Sequence, residues 1–248
     1  MKLIYKKMGF AISCMLLFVL APINKLMALS NTYFFDNPKP LVTIPYAPIS
    51  YHTILAKAYD SLHLQLYGCS EQAYNYAIKG YEILQSTGLL AKQIISIIDF
   101  SKPSSQKRLF VIDMQQSKLL FSTYVAHGQG SGQAVATQFS NSPESLKSSL
   151  GFYKTCQTYI GRNGFSLKLA GLEKGINDKA AERSIVMHGA AYVSKAMLAA
   201  QGYMGRSWGC PAVSLGENKS IIDKIKNGSC LFIYSNNQSY LSHSNFLQ

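Results

Sequence analysis

Three short apolar runs between residues 94 and 126 constrain the fold of this chain most. They cover Ile94 to Phe100, Leu109 to Met114 and Leu119 to Ala126, and they are rich in Ile, Val, Phe and Tyr. Turn-forming residues separate the runs, and β-branched and aromatic residues between turns are typical of strands. The sequence therefore predicts a β-rich domain in which the second and third runs form a hairpin.

The residues before these runs follow a helical pattern. Apolar side chains between Ser70 and Gln85 recur at the spacing of one helix face, and Ser70 is suited to cap the helix. We expect the tyrosines on this face to pack against the domain rather than to bind a partner. A second helix is predicted from Tyr51 to Leu66. The four prolines in residues 31–48 block helix and predict an extended arm.

The second half of the chain alternates between strand and helix patterns. It contains strand-like segments near Phe152 and Leu167, from Ser184 to His188 and from Cys230 to Tyr234, with helices predicted from Ala190 to Gln201 and from about Glu217 to Lys226. The expected fold class is α+β, a predominantly β domain preceded by a small helical N-terminal region.

The first thirty residues predict a secretory signal peptide. They carry four lysines and no acid, an unbroken apolar stretch from Met8 to Ala21, and small residues at Ala28 and Ser30, the two positions that a signal peptidase reads. A retained anchor is the alternative, although the apolar stretch is shorter than the roughly 20 residues of a membrane helix. No later segment has the length and apolarity to span a bilayer, so we expect an exported protein with no membrane span after cleavage.

The chain is basic, with 24 Lys and Arg against 12 Asp and Glu and a net charge of +12. A basic exported protein can meet nucleic acid, anionic lipid or an anionic cell wall. The lysines are scattered and form no run interleaved with aromatic residues, which argues against a nucleic-acid partner. The sequence does not specify an oligomeric state.

The number and spacing of the cysteines predict neither a small disulfide-rich fold nor a metal site. Once Cys14 leaves with the signal, four cysteines remain at long, irregular spacings. No Cys-x-x-Cys or His-Glu-x-x-His occurs, so no metal is expected. If Cys210 acts as a reactive thiol, at least one of Cys69, Cys156 and Cys230 must also stay unpaired.

A histidine and a cysteine, 22 residues apart, form the candidate catalytic pair. His188 ends a predicted strand, and Cys210 follows in a loop between Gly209 and Pro211. A free thiol with a pKa of about 8.5 is mostly protonated at neutral pH, so it needs a base or a positive neighbour. His188 can supply either, with its second ring nitrogen held by the Gly189 carbonyl. The same two residues also fit a structural cysteine and a capped core histidine.

The flanking residues resemble the active-site signature of the cysteine-dependent murein L,D-transpeptidases, exported bacterial enzymes that remodel peptidoglycan. That signature places His-Gly at a strand end and then Ser/Thr-x-Gly-Cys, as in residues 186–189 and 207–210. The resemblance extends over about residues 105–235. It includes the blocks Arg108–Asp113, Val125–Gly132, Phe139–Asn141, Ser148–Gly151 and Tyr159–Gly161. It implies a catalytic domain at residues 104–240, after an arm and helical region at residues 31–103.

This resemblance implies a cysteine-dependent acyltransferase acting on peptidoglycan stem peptides in the periplasm or cell envelope. Cys210 would attack the third residue of a tetrapeptide stem, release the terminal D-alanine and form a thioester that an amine resolves. His188 would be the base and later the acid, and Gly189 the carbonyl that orients it. No metal or organic cofactor is needed, and carbapenems acylate the family's cysteine. The loop implied to hold the oxyanion consists of Ser207, Trp208 and Gly209.

The sequence departs from the family at the position before Gly-Cys, where many members have histidine and this chain has Trp208. Arg206 or Arg162 is expected to bind the substrate's polar groups in place of that histidine. His127, beside a glycine-rich turn, either lines the cleft as a further substrate-binding residue or caps the turn. No Lys-Ser/Thr follows this turn, so a nucleotide site is not expected.

Two alternatives to transpeptidation stay open. Water in place of the amine would make the chain an L,D-carboxypeptidase that uses the same residues. A non-catalytic protein that binds the cell wall through its basic surface is the other alternative.

Overall fold

All named strands of the described residues, 58–248, belong to one eight-stranded sheet in this computed structural model. The predicted signal peptide, the proline-containing arm and the start of the helix predicted from Tyr51 lie outside the described residues. The strands are β1 Ile94–Asp99, β2 Leu109–Asp113, β3 Lys118–Thr123, β4 Gly151–Gly161, β5 Gly164–Gly171, β6 Val186–Ala190, β7 Ala212–Ser214 and β8 Cys230–Tyr234.

The sheet has the strand order β3-β2-β1-β8-β4-β5-β6-β7. The predicted β2–β3 hairpin is confirmed, and β1 pairs antiparallel with β2. The last strand, β8, lies between β1 and β4 and runs parallel to β1. Because β1 precedes residue 104, the sheet begins earlier in the chain than the predicted start of the catalytic domain.

Helices flank the sheet and the connections between its strands. They are α1 Glu71–Ser86, α2 Lys195–Gln201, α3 Leu215–Ile225 and α4 Gln238–His243, with short 3-10 helices at Leu64–Tyr67 and Gln129–Ser131. Within residues 58–248, no helix combines the length and apolarity needed to cross a bilayer.

The helix predicted after Ser70 forms as α1. The Ser70 hydroxyl accepts a hydrogen bond from the Ala73 N–H at 3.3 Å, which satisfies one free donor of the first turn. The tyrosines of its apolar face, Tyr74 and Tyr81, are fully buried. The prediction that this face packs against the domain is confirmed.

An aromatic cluster fixes the centre of the sheet. The rings of Phe152 on β4 and Phe232 on β8 stack with centroids 4.2 Å apart. Gly80 of α1 lies directly against Phe152, where a Cβ atom would come within 2.1 Å of the ring. Fully burying a phenylalanine contributes about 1.5–3 kcal/mol, so this cluster holds α1, β4 and β8 together.

The structure departs from the predicted elements in three places. Strands β4 and β5 form long partners of 11 and 8 residues, connected by Arg162 and Asn163. The helix predicted from Ala190 begins at Lys195, because the Ser194 hydroxyl caps it there. Strand β7 and helix α4 were not predicted.

Candidate active site

Cys210 and His188 line the same cavity, which has a volume of about 520 Å³. The two side chains reach it from different elements, His188 from β6 and Cys210 from the loop before β7. The cavity also includes Gly189, Ser207 and Trp208 in its walls. The geometry thus brings together the residues that the sequence pattern singles out.

Parallel pairing of β6 and β7 brings the cysteine to the histidine. His188 lies opposite Ala212 in the register, and the His188 N–H donates to the Pro211 carbonyl at 3.4 Å. Cys210 comes two residues before Ala212 and therefore lies at the end of β7 that faces His188. This three-residue strand directly follows Pro211, which is why the sequence pattern did not reveal it.

The His188 ring is oriented by its own neighbour in the chain. Nδ1 lies 3.0 Å from the Gly189 carbonyl oxygen. A carbonyl only accepts, so Nδ1 carries the proton and Nε2 keeps a lone pair. The side chain is 5% exposed, and burial lowers the pKa of His188 despite the opposing effect of the Gly189 carbonyl. The imidazole is therefore neutral at neutral pH and able to accept a proton.

The Cys210 sulfur is also buried, with 9% of the residue exposed. Sγ accepts from the Val186 N–H at 3.5 Å and donates to the Ser184 carbonyl at 3.8 Å. Burial raises the pKa of the Cys210 thiol, whereas the Val186 N–H and the Arg183 guanidinium lower it. At neutral pH the pair is therefore a neutral thiol and a neutral imidazole.

The cysteine loop closes as a tight turn around Ser207. The Ser207 hydroxyl donates to the Cys210 carbonyl at 2.6 Å and accepts from the Gly209 N–H at 3.1 Å. Gly209 has φ +124°, and a Cβ atom there would lie 2.9 Å from the Lys147 carbonyl oxygen. The position requires glycine because of both the dihedral angle and the close approach.

The loop's main-chain donors differ in availability. The Gly209 N–H already donates to Ser207, whereas no acceptor among residues 58–248 takes the N–H of Trp208 or Cys210. The N–H groups of Trp208 and Cys210 are therefore the free main-chain donors of residues 208–210. Of the three positions implied to hold the oxyanion, Gly209 contributes conformation rather than a free donor.

The Ser148 hydroxyl links the cysteine loop to the glycine-rich turn. The Ser148 hydroxyl donates to the Gly209 carbonyl at 3.0 Å and accepts from the Gly128 N–H at 3.0 Å. A Cβ atom at Gly128 would lie 2.8 Å from the Gly209 Cα, so the two glycines allow close backbone contact. Nothing in the sequence pattern marked Ser148 for this role.

Comparison with known proteins matches a sequence model described as the L,D-transpeptidase catalytic domain to residues 66–234. The chain belongs to this family. The match covers His188 and Cys210 and confirms the resemblance described above. No curated protein matches the chain.

Several solved L,D-transpeptidase structures are similar to this chain at low identity. One from Mycobacterium smegmatis is 12% identical with a TM-score of 0.36, over 58% of this chain and 59% of that chain. One from Stackebrandtia nassauensis is 11% identical with a TM-score of 0.36, over 75% and 78%. A third, residues 123–326 of the Xylanimonas cellulosilytica protein, is 11% identical with a TM-score of 0.33, over 72% and 93%. The chain thus spans about 59% of the length of the first.

In this L,D-transpeptidase domain His127 is not among the residues that line the cavity, and its contact with substrate stays a prediction. The side chain is fully buried, with Nδ1 2.8 Å from Arg108 Nη2 and Nε2 3.3 Å from the Gly132 carbonyl. Burial and the Arg108 charge lower the pKa of His127 to about 4. A neutral ring that accepts from Arg108 and donates to Gly132 holds the turn, which is the second of the two roles considered for it.

Arg162 and Arg206 both line the cavity and are exposed. Arg162 lies in the β4–β5 turn, and Arg206 donates to the Gly132 carbonyl at 3.2 Å. Trp208 is 69% exposed beside them. These positions allow contact with a bound substrate, and the substrate-binding roles of both arginines stay predictions.

Arg183 is the cavity residue that sequence reasoning missed. Its guanidinium donates to the Ser140 carbonyl at 2.8 Å and to the Lys147 carbonyl. No motif marks it, since it precedes a strand as an isolated arginine. Together with Arg162 and Arg206 it gives the cavity three cations, and none of the described residues that line this cavity is a carboxylate.

Cys69, Cys156 and Cys230 are free thiols, as is Cys210. In the part of the chain that the structure describes, no three His, Cys, Asp or Glu side chains cluster so that they could hold a metal ion.

Proposed function

We propose that this chain is a peptidoglycan L,D-transpeptidase that acts on tetrapeptide stems through a thioester at Cys210. The observation that carries the proposal is the single cavity shared by Cys210 and His188, with the His188 ring held by the Gly189 carbonyl at 3.0 Å. Membership of the L,D-transpeptidase catalytic domain family supports the same reaction class.

In the first step, His188 Nε2 takes the Cys210 proton as the sulfur attacks the carbonyl of the third stem residue. The carbonyl oxygen becomes an oxyanion, which accepts hydrogen bonds from the N–H groups of Cys210 and Trp208. One such donor contributes about 3 to 4 kcal/mol in other acyl-transfer enzymes. The neutral resting pair suits this step, because general-base catalysis needs an unprotonated imidazole.

In the second step, the bond to the terminal D-alanine breaks and His188 gives its proton to the departing amine. The products are free D-alanine and a thioester between Cys210 and the shortened stem. An acceptor amine from a neighbouring stem then attacks the thioester and loses its proton to His188. The thiolate leaves, recovers that proton and restores the starting state, so the cycle needs no other reactant.

The charge of the cavity supports an anionic substrate. Of the residues that the structure describes, three arginines and no carboxylate line it. A tetrapeptide stem ends in a free carboxylate, so an arginine-rich cavity attracts it. We assign this contact to Arg162 and Arg206, whose side chains are exposed and therefore free to move onto a ligand.

The proposed reaction takes place outside the cytoplasm. We propose that the segment before residue 31 directs export and that the mature chain works in the periplasm or cell envelope, where peptidoglycan stems are present. Its support is the signal-like pattern of residues 1–30. N-terminal sequencing of the exported protein tests where the chain is cut.

Product analysis tests the proposed reaction. The purified chain is incubated with tetrapeptide muropeptides, and the products are identified by mass. We expect cross-linked dimers and free D-alanine from the wild type and none from Cys210→Ser. Trimmed tripeptides without dimers would show that the chain is a carboxypeptidase and not a transpeptidase. The absence of both products from the wild type would favour a wall-binding protein.

A matched cysteine variant controls this experiment. Cys156 is partly exposed and lies outside the cavity, so Cys156→Ser should keep full activity. A brief exposure to a carbapenem should add one acyl adduct to the wild type and to Cys156→Ser, and none to Cys210→Ser. An adduct on Cys210→Ser would contradict Cys210 as the nucleophile.

A further inference from the structure

Arg183 lines the cavity with Cys210 but belongs to no motif of the sequence. It is half-buried just before β6, and its Nη2 lies 3.3 Å from the place where a Cβ atom of Gly209 would be. The guanidinium therefore lies close to Gly209, the residue before Cys210. No step of the mechanism above uses this cation.

Neutral acceptors hold the guanidinium in place. It donates to the carbonyls of Ser140 and Lys147 and to the hydroxyls of Ser145 and Ser149. These acceptors lie in residues 140–149, the same segment that braces the Gly209 carbonyl through Ser148. The ion pairs within residues 58–248 involve only lysines with Asp223, so no carboxylate neutralises Arg183.

The segment that Arg183 begins wraps around the sulfur. The Ser184 carbonyl accepts from the thiol, an interaction that only the protonated form makes. The Val186 N–H donates to the sulfur, an interaction that strengthens when the sulfur is negative. In this segment the Ser184 carbonyl thus favours the thiol, whereas the Val186 N–H and the Arg183 guanidinium favour the thiolate.

The other charged or titratable side chains around the cavity do not replace Arg183. His188 is neutral at rest and becomes positive only when it accepts the proton. Arg162 and Arg206 line the cavity but are exposed, so solvent screens their charge. The phenol of Tyr192 is uncharged at neutral pH, since its burial raises its pKa to about 12.

We propose that Arg183 is a positioning residue of this site, which stabilises the Cys210 thiolate and fixes the loop that presents it. The inference rests on the function proposed above. As the S–H bond breaks and its proton bonds to His188 Nε2, the new negative charge forms beside a cation already held by Ser140 and Lys147. Burial raises the pKa of Cys210, and the Val186 N–H and the Arg183 charge act against that rise. Burial lowers the pKa of Arg183, and Tyr153 and Cys210 act against that fall.

The pH dependence of Cys210 alkylation tests this role. The full-length wild type, Arg183→Met and Arg183→Lys react with iodoacetamide from pH 6 to 10, and the rate is followed on the peptide that contains Cys210. At pH 7 we expect Arg183→Met to react slower by about tenfold, the size of effect that a lost neighbouring charge produces. Arg183→Lys keeps the charge and should regain most of the rate. The difference between Arg183→Met and the wild type should shrink as the pH rises towards 10, because a larger fraction of the thiol ionises.

A purely structural role predicts a different pattern. It would slow the alkylation of Arg183→Met and Arg183→Lys alike at every pH, and that result would overturn the proposal. A pH profile of Arg183→Met that overlays that of the wild type would overturn it too. Lys219→Met removes an exposed positive charge on α3 and should leave the profile unchanged. Alkylation needs no stem peptide, so an inactive wild type with the expected profiles would refute the proposed function and leave the role of Arg183 standing.

Discussion

Different interactions hold the middle of the sheet and the edge that carries the site. The side chains of Phe152 and Phe232 make apolar contacts, in which their rings stack on each other and α1 packs against Phe152. Around Cys210 the contacts are hydrogen bonds from the side chains of Ser207, Ser148 and His188. Apolar burial is non-directional, whereas a hydrogen bond fixes an angle and a distance.

This contrast separates stability from chemistry. A change in the aromatic centre should lower the free energy of unfolding and leave the turnover of the folded molecules intact. A change at the edge should do the reverse, because it moves or removes a reacting group while the core stays packed. The four predictions below test that separation.

Replacing the base should have the largest effect on turnover. His188→Gln keeps a side chain of similar size but removes the proton acceptor, so kcat should fall by about 10²- to 10⁴-fold. The melting temperature should stay within a few degrees of the wild type. Steady-state kinetics and thermal unfolding check both values, and kcat above a tenth of the wild-type value would contradict His188 as the base.

Emptying the aromatic centre should have the largest effect on stability. Phe152→Ala should cost about 3–5 kcal/mol of unfolding free energy, as expected for a large cavity in a packed core. In urea unfolding the midpoint should fall, while kcat per folded molecule at low temperature stays near the wild-type value. A specific loss of kcat would show that the two regions are coupled.

Removing the Ser148 hydroxyl should have an intermediate effect on both stability and turnover. Ser148→Ala leaves the Gly209 carbonyl and the Gly128 N–H without a partner, which costs about 1–3 kcal/mol for a buried group. We expect kcat to fall by about tenfold because the cysteine loop loosens, with KM changed less. Ser142→Ala, an exposed serine in the same polar span, is the matched control.

The buried turn histidine should give the smallest effect, visible only as a slope with pH. The folded pKa of His127 is about 4, against about 6.5 for a free histidine. The unfolded chain therefore binds a proton first, and the free energy of unfolding should decline as the pH falls from about 6.5 to 4. Urea unfolding at several pH values measures this slope, which should flatten in His127→Gln.

The sequence predicted the elements whose signal is local. Strands β1, β2 and β8 are apolar runs bounded by turn residues, and α1 shows both its cap and its apolar face. The three residues of β7 give too short a pattern, and α4 has no apolar periodicity. Insertion of β8 beside β1 depends on pairing between distant segments, which periodicity does not encode.

The same limit applies to the site. His188 and Cys210 stood out because their flanking residues form a motif. Ser148 and Arg183 act through contacts with segments far away along the chain. Ser148 lies in a block that resembles the family, but the block does not show what its hydroxyl contacts, and the isolated Arg183 has no pattern to mark it. For His127 the neighbouring glycines indicated a turn but did not show which way the ring points.

The position of β8 has a consequence for when the sheet can close. Cys230–Tyr234 supplies the partner for both β1 and β4, so a chain still lacking its last twenty residues holds two separate groups of strands. Such distant pairing makes sheet closure a late event with a large entropic cost. Cys210 and His188 lie in the same group of strands, but that group cannot complete the sheet until the segment Cys230–Tyr234 has emerged and paired with both β1 and β4.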